Sequence, residues 1–175
     1  IMAELRCGHS FLSVSKELEA YMRKEAHFFP LTVRFSGERL FVIDDPYEAG
    51  VAPGSEILSI NDTAAKEVIK MLTANMSTDG NDLGRPRYDA QRWFAAMYFS
   101  YIDTPDRFAL ELITPETSKR IEYTVSAVRD SSLAKTAQGV MHDTADAPYS
   151  ISFHDQYTLL TISTFNYTKP KQYKE

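Results

Sequence analysis

The stretch VAPGSEILSIN, residues 51–61, decides how the surrounding chain folds. Its Pro53-Gly54 pair predicts a tight turn, because proline presets φ at one turn position and glycine tolerates a positive φ at the next. The residues that follow, 56–61, predict a short strand. Because the turn is specified by adjacent residues and leads directly into a strand, residues 53–61 give one well-defined turn and strand from which the rest of the fold can be predicted.

Two strands precede this stretch. Residues 31–35 alternate between apolar and polar side chains, which is the pattern of a half-buried strand. Residues 36–39 form a turn, and residues 40–43 then continue as a more fully buried strand, so that a hairpin is predicted. The hairpin ends at residues 44–46, since two turn-forming aspartates followed by proline cannot continue a ladder.

Two helices and two more strands follow the central stretch. An apolar stripe at helical spacing predicts a helix over residues 64–76, with N-cap side chains offered by residues 61–63. A second helix is predicted over residues 88–101, whose aromatic side chains share one face. Alternating apolar side chains then predict strands at residues 108–112 and 121–127.

The ends of the chain differ from this central part. Residues 1–5 have the pattern of an amphipathic helix already under way, and residues 130–148 lack apolar periodicity, which predicts a linker. Residues 157–165, YTLLTISTF, predict a buried strand with no partner among the ten residues after it. We therefore expect the chain to be an excerpt of a longer protein, divided into residues 1–26, 27–129, 130–149 and 150–175.

Composition narrows the classes of function. The formal net charge of −5 argues against a nucleic-acid partner, because neutralising a phosphate backbone requires clustered Lys and Arg. Cys7 is the single cysteine, which excludes an internal disulfide, and no Cys/His spacing suggests zinc, so neither a metal nor another cofactor is predicted. No apolar run approaches the roughly twenty residues of a membrane span.

The order of elements over residues 28–128 resembles a PDZ domain of the permuted bacterial kind. Such domains carry the pattern apolar-x-Pro-Gly-Asp-x-Ile-Leu-x-Ile-Asn-Gly where this chain has residues 51–62, with departures at Ser55 and Asp62. Neither departure is expected to touch a buried position. The resemblance implies an α+β fold: a PDZ-like, partly open β-barrel or sandwich with two helices, flanked by fragments of a split serine-peptidase core.

The flanks extend the resemblance to one family. Gly8-His9-Ser10 before the PDZ-like domain and a strand ending at Phe165 after it follow the order seen in tail-specific and tricorn-like serine peptidases, the C-terminal processing peptidases. In that family the PDZ-like domain is inserted between two parts of the peptidase core. The resemblance implies that residues 1–26 end the first part and residues 150–175 begin the second. It also implies a bacterial, exported protein of the periplasm, cell envelope or exterior.

His9 is the candidate catalytic residue. In tricorn-like members the catalytic histidine lies just before the PDZ-like insertion, and His9 matches that place, so the resemblance implies a base or orienting residue for a seryl nucleophile. In that family the nucleophile and its acidic partner lie in the second core part, so the resemblance implies that they lie beyond residue 175. Ser10 is not expected to be the nucleophile, because it is adjacent to His9 on the chain and GxSxG is absent. The excerpt alone is then expected to be inactive. A helix-terminal histidine favoured by the dipole is the structural alternative.

The resemblance also implies a peptide-binding site. PDZ-like domains take an extended peptide as an added strand and hold its terminal carboxylate on main-chain amides. The loop, pairing and pocket residues of this site would be Phe29, Pro30, Leu31, Thr32, Val33, Val68 and Leu72. Pro30 is the exception in this set, because it stands where the pattern prefers glycine and lacks the N–H that a carboxylate needs.

Three functions stay open at this point. The first is a serine endopeptidase that acts on peptides or unfolded proteins, with the PDZ-like domain engaging substrate or regulating cleavage. The second is a non-catalytic PDZ-like module that binds peptides, and the third is a carrier of small apolar ligands built on the same core. Since a fold does not guarantee its usual site, the geometry has to discriminate among them.

Overall fold

The computed structural model describes Cys7 and residues 14–74, 76–78, 80–133 and 149–162. The chain forms two compact units, Ile1–Gln138 and Gly139–Glu175. The predictions for residues 1–5, for His9 and for most of the linker lie outside the described residues.

One open antiparallel sheet of six strands organises the described part of the first unit. Five strands lie side by side in the following order: β1 (Thr32–Ser36), β2 (Arg39–Asp44), β3 (Glu56–Ile60), β5 (Arg107–Ile113) and β6 (Arg120–Ser126). The short β4 (Thr63–Ala64) pairs with β3 alone. β1 and β6 are the edges, so the sheet does not close into a barrel, and it agrees with the open, sandwich-like form expected from the sequence.

Four helices occur in the described ranges: α1 (Lys16–Lys24), α2 (Ala65–Ala74), α3 (Gly84–Arg92) and α4 (Phe94–Tyr101). The α+β class is therefore confirmed, and α2 agrees with the helix predicted over residues 64–76. The single helix predicted over residues 88–101 is instead α3 and α4. The two are separated at Trp93, where φ −111° and ψ 27° leave the helical range.

The central stretch forms the predicted turn and strand. Gly54 has a φ of +88° and its N–H donates to the Val42 carbonyl at 2.8 Å, which ties the turn to β2. Ser55 is fully buried, contrary to the expectation that the departures from the PDZ pattern avoid buried positions. Its hydroxyl tolerates burial because it donates to the carbonyl oxygen of Ala52 at 2.7 Å.

Residues 61–62 do not cap α2, so the prediction that residues 61–63 offer its N-cap side chains is wrong for these two. Asn61 and Asp62 both have positive φ, 46° and 62°, and form the two-residue turn between β3 and β4. Asn61 is held to β5 by two hydrogen bonds of 2.8 Å, one from its N–H to the Ala109 carbonyl and one from the Ala109 N–H to its Oδ1. The Asn side chain therefore stabilises a hairpin turn of the kind that favours positive φ.

An aromatic core lies between the sheet and the helices α2–α4. The Phe29 ring is 4.9 Å from that of Phe108 and 5.2 Å from that of Phe94, both edge-on, and 6.3 Å from that of Tyr98. Such pairs add roughly 0.5–1.5 kcal/mol each to the burial of their surface. A smaller cluster of Met22, Ala26, Phe28 and Ala96 joins the end of α1 to α4.

The chain enters and leaves the sheet at one point. The Phe28 N–H donates to the Val128 carbonyl at 2.8 Å, and the Val128 N–H donates back to Phe28 at 2.9 Å. We call residues 28–128 the sheet unit. Beside the bridge, His27 Nδ1 lies 3.5 Å from Asp106 Oδ1.

The second compact unit contains an antiparallel hairpin, β7 (Tyr149–Phe153) and β8 (Thr158–Ile162). The strand predicted at residues 157–165 is thus present at 158–162, and its partner precedes it. Its side chains are exposed rather than buried, because two strands alone have no second layer to cover them. Among the residues that the structure describes, no helix has both the length and the apolar character that crossing a bilayer requires.

Candidate functional site

The catalytic hypothesis is not tested by the described geometry, since His9 lies outside the described residues. Of the other histidines, His27 faces Asp106 beside the Phe28–Val128 bridge. His154 lies in the β7–β8 turn, where its Nε2 is 3.3 Å from Ser152 Oγ and its ring stacks on Tyr157 at 4.5 Å. Both members of this Ser–His pair are exposed on the hairpin, which is a poor setting for activating a hydroxyl. The described part of the chain contains no group of three or more metal-binding side chains.

The seven residues expected to bind a peptide come together in the structure. Phe29, Pro30 and Leu31 lead into β1, which carries Thr32 and Val33, while Val68 and Leu72 lie on α2. Five of them, Phe29, Leu31, Val33, Val68 and Leu72, belong to one hydrophobic cluster. All seven except Thr32 are buried. The candidate site is therefore an apolar region along the edge strand β1, in which every residue except Thr32 is covered.

Helix α3 provides the cover. It contacts both α2 and β1, and its residues Pro86 and Ala90 are buried. The Phe35 N–H of β1 donates to Gln91 Oε1 at 3.1 Å, and Arg87 Nη2 donates to the carbonyl oxygen of Gly37 just past the end of β1. One amide of this edge and one carbonyl of the adjacent β1–β2 turn are thus satisfied by side chains of α3. At the amide, an added strand would use its own main-chain carbonyl.

Aromatic contacts continue this cover from the start of α4. The Phe94 ring lies 6.3 Å from that of Phe35 and 5.2 Å from that of Phe29, edge-on in both cases. The Arg87 guanidinium lies 5.8 Å from the centroid of the Phe35 ring. Neither Arg87 nor Gln91 was singled out from the sequence. The sequence feature that could have pointed to these two residues is the polar stretch of residues 84–92, which lies directly before an aromatic stretch.

Two main-chain positions of the loop before β1, Phe28 and Pro30, offer no N–H to a terminal carboxylate. Pro30 has no N–H, and the N–H of Phe28 is already used by Val128. A carboxylate is held well only where several main-chain amides converge on it. The geometry therefore strengthens the exception that the sequence noted at Pro30.

A convergent set of amides does occur elsewhere, around Asp45. Its carboxylate accepts the N–H groups of Ala49 at 2.8 Å, Gly50 at 2.8 Å and Val51 at 3.1 Å. These bonds are internal to the loop that leads into the central turn, so their role is to fix that loop. From the sequence, Asp45 was expected only to end the hairpin. Its role in fixing the loop was missed, because an aspartate shortly before a glycine signals such a turn only weakly.

Two tyrosines of the sheet unit have perturbed acidity. Burial raises the pKa of Tyr98 to about 12, and the negative charge of Asp103 acts in the same direction. Burial also raises the pKa of Tyr47 to about 12, helped by its 2.6 Å hydrogen bond to Asp130 Oδ2. Both hydroxyls stay protonated at neutral pH. Neither hydroxyl lies at the β1 edge, so the two raised pKa values concern the stability of the fold and not the candidate site.

The hairpin of the second unit has one apolar face. Its register pairs Tyr149 with Ile162 and Ile151 with Leu160. These residues alternate with Ser150 and other mostly polar side chains that point to the opposite face. Ile151 is 52% exposed and Leu160 is 55% exposed, so the apolar face is uncovered within the described residues.

No family model matches the chain, and no curated protein matches it significantly. Its weak structural neighbours include structures of CPAF, a chlamydial serine protease. Mature CPAF and mature CPAF complexed with lactacystin each have 17% sequence identity and a TM-score of 0.46, over 58% of this chain and 19% of the CPAF chain. A serine-to-alanine mutant of CPAF has 17% identity and a TM-score of 0.44, over 61% of this chain and 21% of that one. The chain thus spans about one fifth of the length of these neighbours, and TM-scores of this size leave its family open.

Proposed function

We propose that this chain belongs to a serine endopeptidase in which a PDZ-like domain is inserted into a split peptidase core. The parent protein would hydrolyse peptide bonds of peptides or unfolded proteins through a seryl acyl-enzyme. His9 would act as its base or orienting residue, and the nucleophile would come from polypeptide outside this chain. The alternatives are a non-catalytic PDZ-like module and an apolar-ligand carrier.

The observation that carries the proposal is the bridge between Phe28 and Val128. An inserted domain must receive the host chain and return it at nearly the same place, so that the host core is not pulled apart. The paired hydrogen bonds of 2.8 and 2.9 Å hold the two ends of the sheet unit together in this way. The sequence supports the proposal further, because Gly8-His9-Ser10 precedes this unit and the hairpin strand follows it.

The β7–β8 hairpin adds a second line of support. An isolated two-stranded hairpin is marginally stable, and its apolar face needs another layer. Ile151 and Leu160 lie on one face and are about half exposed in this chain. Packing against further parts of a peptidase core would bury them, as the proposal requires of residues 150–175.

The chemistry assigned to His9 is a proton transfer. A serine hydroxyl is a weak nucleophile until a neighbouring imidazole accepts its proton as the oxygen attacks the peptide carbonyl. The same proton then passes to the leaving amine, and a water molecule repeats the sequence on the acyl-enzyme. A positioned base of this kind contributes roughly 10²–10⁴-fold to the rate.

The test replaces His9 in the full-length protein and measures cleavage of an unfolded protein substrate. We expect His9→Ala to lower kcat by about 10²–10⁴-fold with an unchanged circular dichroism spectrum. His27→Ala is the matched control, because His27 lies beside the Phe28–Val128 bridge and faces Asp106 at 3.5 Å. Its rate should stay at the wild-type level. A fully active His9→Ala protein would remove His9 from the mechanism, and a wild-type protein that cleaves nothing would favour the binding module or the carrier.

A further inference from the structure

The strand β6 forms the edge of the sheet opposite to β1. Among the described strands it pairs with β5 alone, in a regular register over seven residues that include no proline. Proteins usually protect such an edge with a bulge, a proline or a covering element, because its unpaired main chain can accept another strand. At β1 the side chains of α3 give this protection, whereas β6 has neither a bulge nor a proline.

Main-chain groups at alternate residues of β6 point away from β5. Hydrogen-bonded and non-hydrogen-bonded pairs alternate along an antiparallel ladder. The Ala127 N–H donates to the Asp106 carbonyl on the β5 side at 2.9 Å, so the odd-numbered residues of this strand face β5. Arg120, Glu122 and Thr124 therefore direct their N–H and C=O groups outward, where another strand can pair with them.

The side chains of β6 lie on two faces. Ile121 is opposite the buried Leu112 on the core face, yet it is 38% exposed. Arg120 and Glu122 are on the outer face, where Arg120 Nε lies 2.9 Å from Glu111 Oε1. Glu122 is also directly opposite Glu111, so one guanidinium stands beside two carboxylates. A second cation opposite Glu122 would balance this group of charges.

The charges of β6 are complementary to themselves. In an antiparallel pair of two β6 strands with Ile121 at the centre, Arg120 of each copy lies opposite Glu122 of the other. Opposite charges at such cross-strand positions stabilise a sheet. The two Ile121 side chains meet at the centre, in a non-hydrogen-bonded pair, where side chains approach most closely.

The neighbouring registers are unfavourable. An antiparallel pair centred on Glu122 would place two carboxylates directly opposite each other, and like charges there are destabilising. A pair centred on Tyr123 would place Ser118 of the second copy opposite Val128, whose outward groups already bind Phe28. The register centred on Ile121 avoids both conflicts.

We propose that β6 is a self-association edge, along which two copies of this chain pair antiparallel about a two-fold axis at Ile121. Arg120 and Glu122 of opposite copies exchange N–H···O=C bonds, and their side chains form an ion pair on each side of the axis. The same patch serves both copies, as in other two-fold interfaces. Because few residues take part, the dimer is of the weak, concentration-dependent kind.

Sedimentation equilibrium of the 175-residue chain tests this pairing. Arg120→Glu and Glu122→Arg each bring like charges opposite each other, so each should weaken the dimer roughly ten- to hundredfold. Mixed together, the two variants are complementary at both positions and should form a heterodimer about as readily as the wild type forms its dimer. Arg34→Glu is the control for net charge, since Arg34 is exposed on β1, and it should leave the dimer unchanged.

Amide hydrogen exchange checks the same register without a substitution. The amides of Arg120 and Glu122 should exchange more slowly as the protein concentration rises, because pairing satisfies them. The Phe35 amide should not respond, since it is bound to Gln91 Oε1 on the opposite edge.

Three results would overturn the proposal. One is a chain that stays monomeric at every concentration. Another is a dimer that neither charge variant weakens, which would assign association to another surface, such as the exposed face of the β7–β8 hairpin. The third is a dimer that only one of the two variants weakens, which would refute the register at Ile121. Because these measurements need no cleavage, an inactive parent protein would contradict the proposed function and leave this result unaffected.

Discussion

The sheet unit and the β7–β8 hairpin differ in how far they bury similar aromatic side chains. Phe29 at the start of the sheet unit is 1% exposed and contacts three other rings, whereas Phe153 on the hairpin is 81% exposed. Both lie in or beside antiparallel strands. The difference teaches that strand pairing alone buries little, and that the second layer supplied by α2, α3 and α4 is what forms a core.

The largest expected change in stability distinguishes these two phenylalanines. Phe29→Ala should lower the free energy of unfolding by about 3–5 kcal/mol, because it leaves a cavity among the rings of Phe94, Tyr98 and Phe108. Phe153→Ala should change it by less than about 0.5 kcal/mol, since its ring is in solvent. Urea unfolding followed by circular dichroism measures both. Equal losses would mean that the hairpin ring is as well packed as the core.

A smaller effect should appear at alkaline pH in the sheet unit. Because the pKa of Tyr98 is raised to about 12 in the folded protein, the unfolded chain loses this proton first, near the usual value of 10.0. The stabilisation is therefore complete below pH 10 and is lost as the pH rises from 10 to 12, by up to about 3 kcal/mol.

Tyr98→Phe tests the assignment, because it removes the titrating group and keeps the ring. We expect the variant to lose less stability than the wild type between pH 9 and pH 12. Tyr47 keeps its own raised pKa in both proteins and gives the same background. Identical alkaline profiles would show that Tyr98 does not govern this range.

The smallest predicted effect concerns two neighbouring aspartates of the sheet unit. Asp45→Ala removes an acceptor for three N–H groups, those of Ala49, Gly50 and Val51, and should cost roughly 2 kcal/mol. Asp44→Ala removes a single bond, from the Asp45 N–H at 3.0 Å, and should cost less than about 1 kcal/mol. Thermal unfolding of both variants decides the order. The reverse order would show that the Asp45 loop contributes little.

Local chemistry made much of the sheet predictable. Gly54 adopts φ +88° where Pro53-Gly54 predicted a turn, and the hairpin of β1 and β2 turns at Gly37, where φ is +58°. These features depend on a few adjacent residues, so the sequence contains their cause. Asn61 and Asp62 show the limit of such inference, because the same side chains suit a helix cap or a positive-φ turn, and only pairing with β5 selects the turn.

The candidate site was predictable in part. The residues of the β1 edge and of α2 were named from the resemblance, and the structure gathers them. That α3 covers them was not foreseen, because its first residues, 84–87, precede the helix predicted over residues 88–101. Helix propensity and hydrophobic period do not show against which strand a polar helix will lie.

By itself the sequence determined the α+β class, the turn at Pro53-Gly54 and the chain order of β1, β2, β3, α2, β5 and β6, since each follows from short-range preferences for φ, ψ and apolar period. Only the tertiary structure decided that the helix ends at Trp93, that Ser55 is buried and that Gln91 meets the Phe35 amide. Those outcomes join residues far apart along the chain. They are set by packing and by the need to satisfy buried polar groups, which no local pattern records.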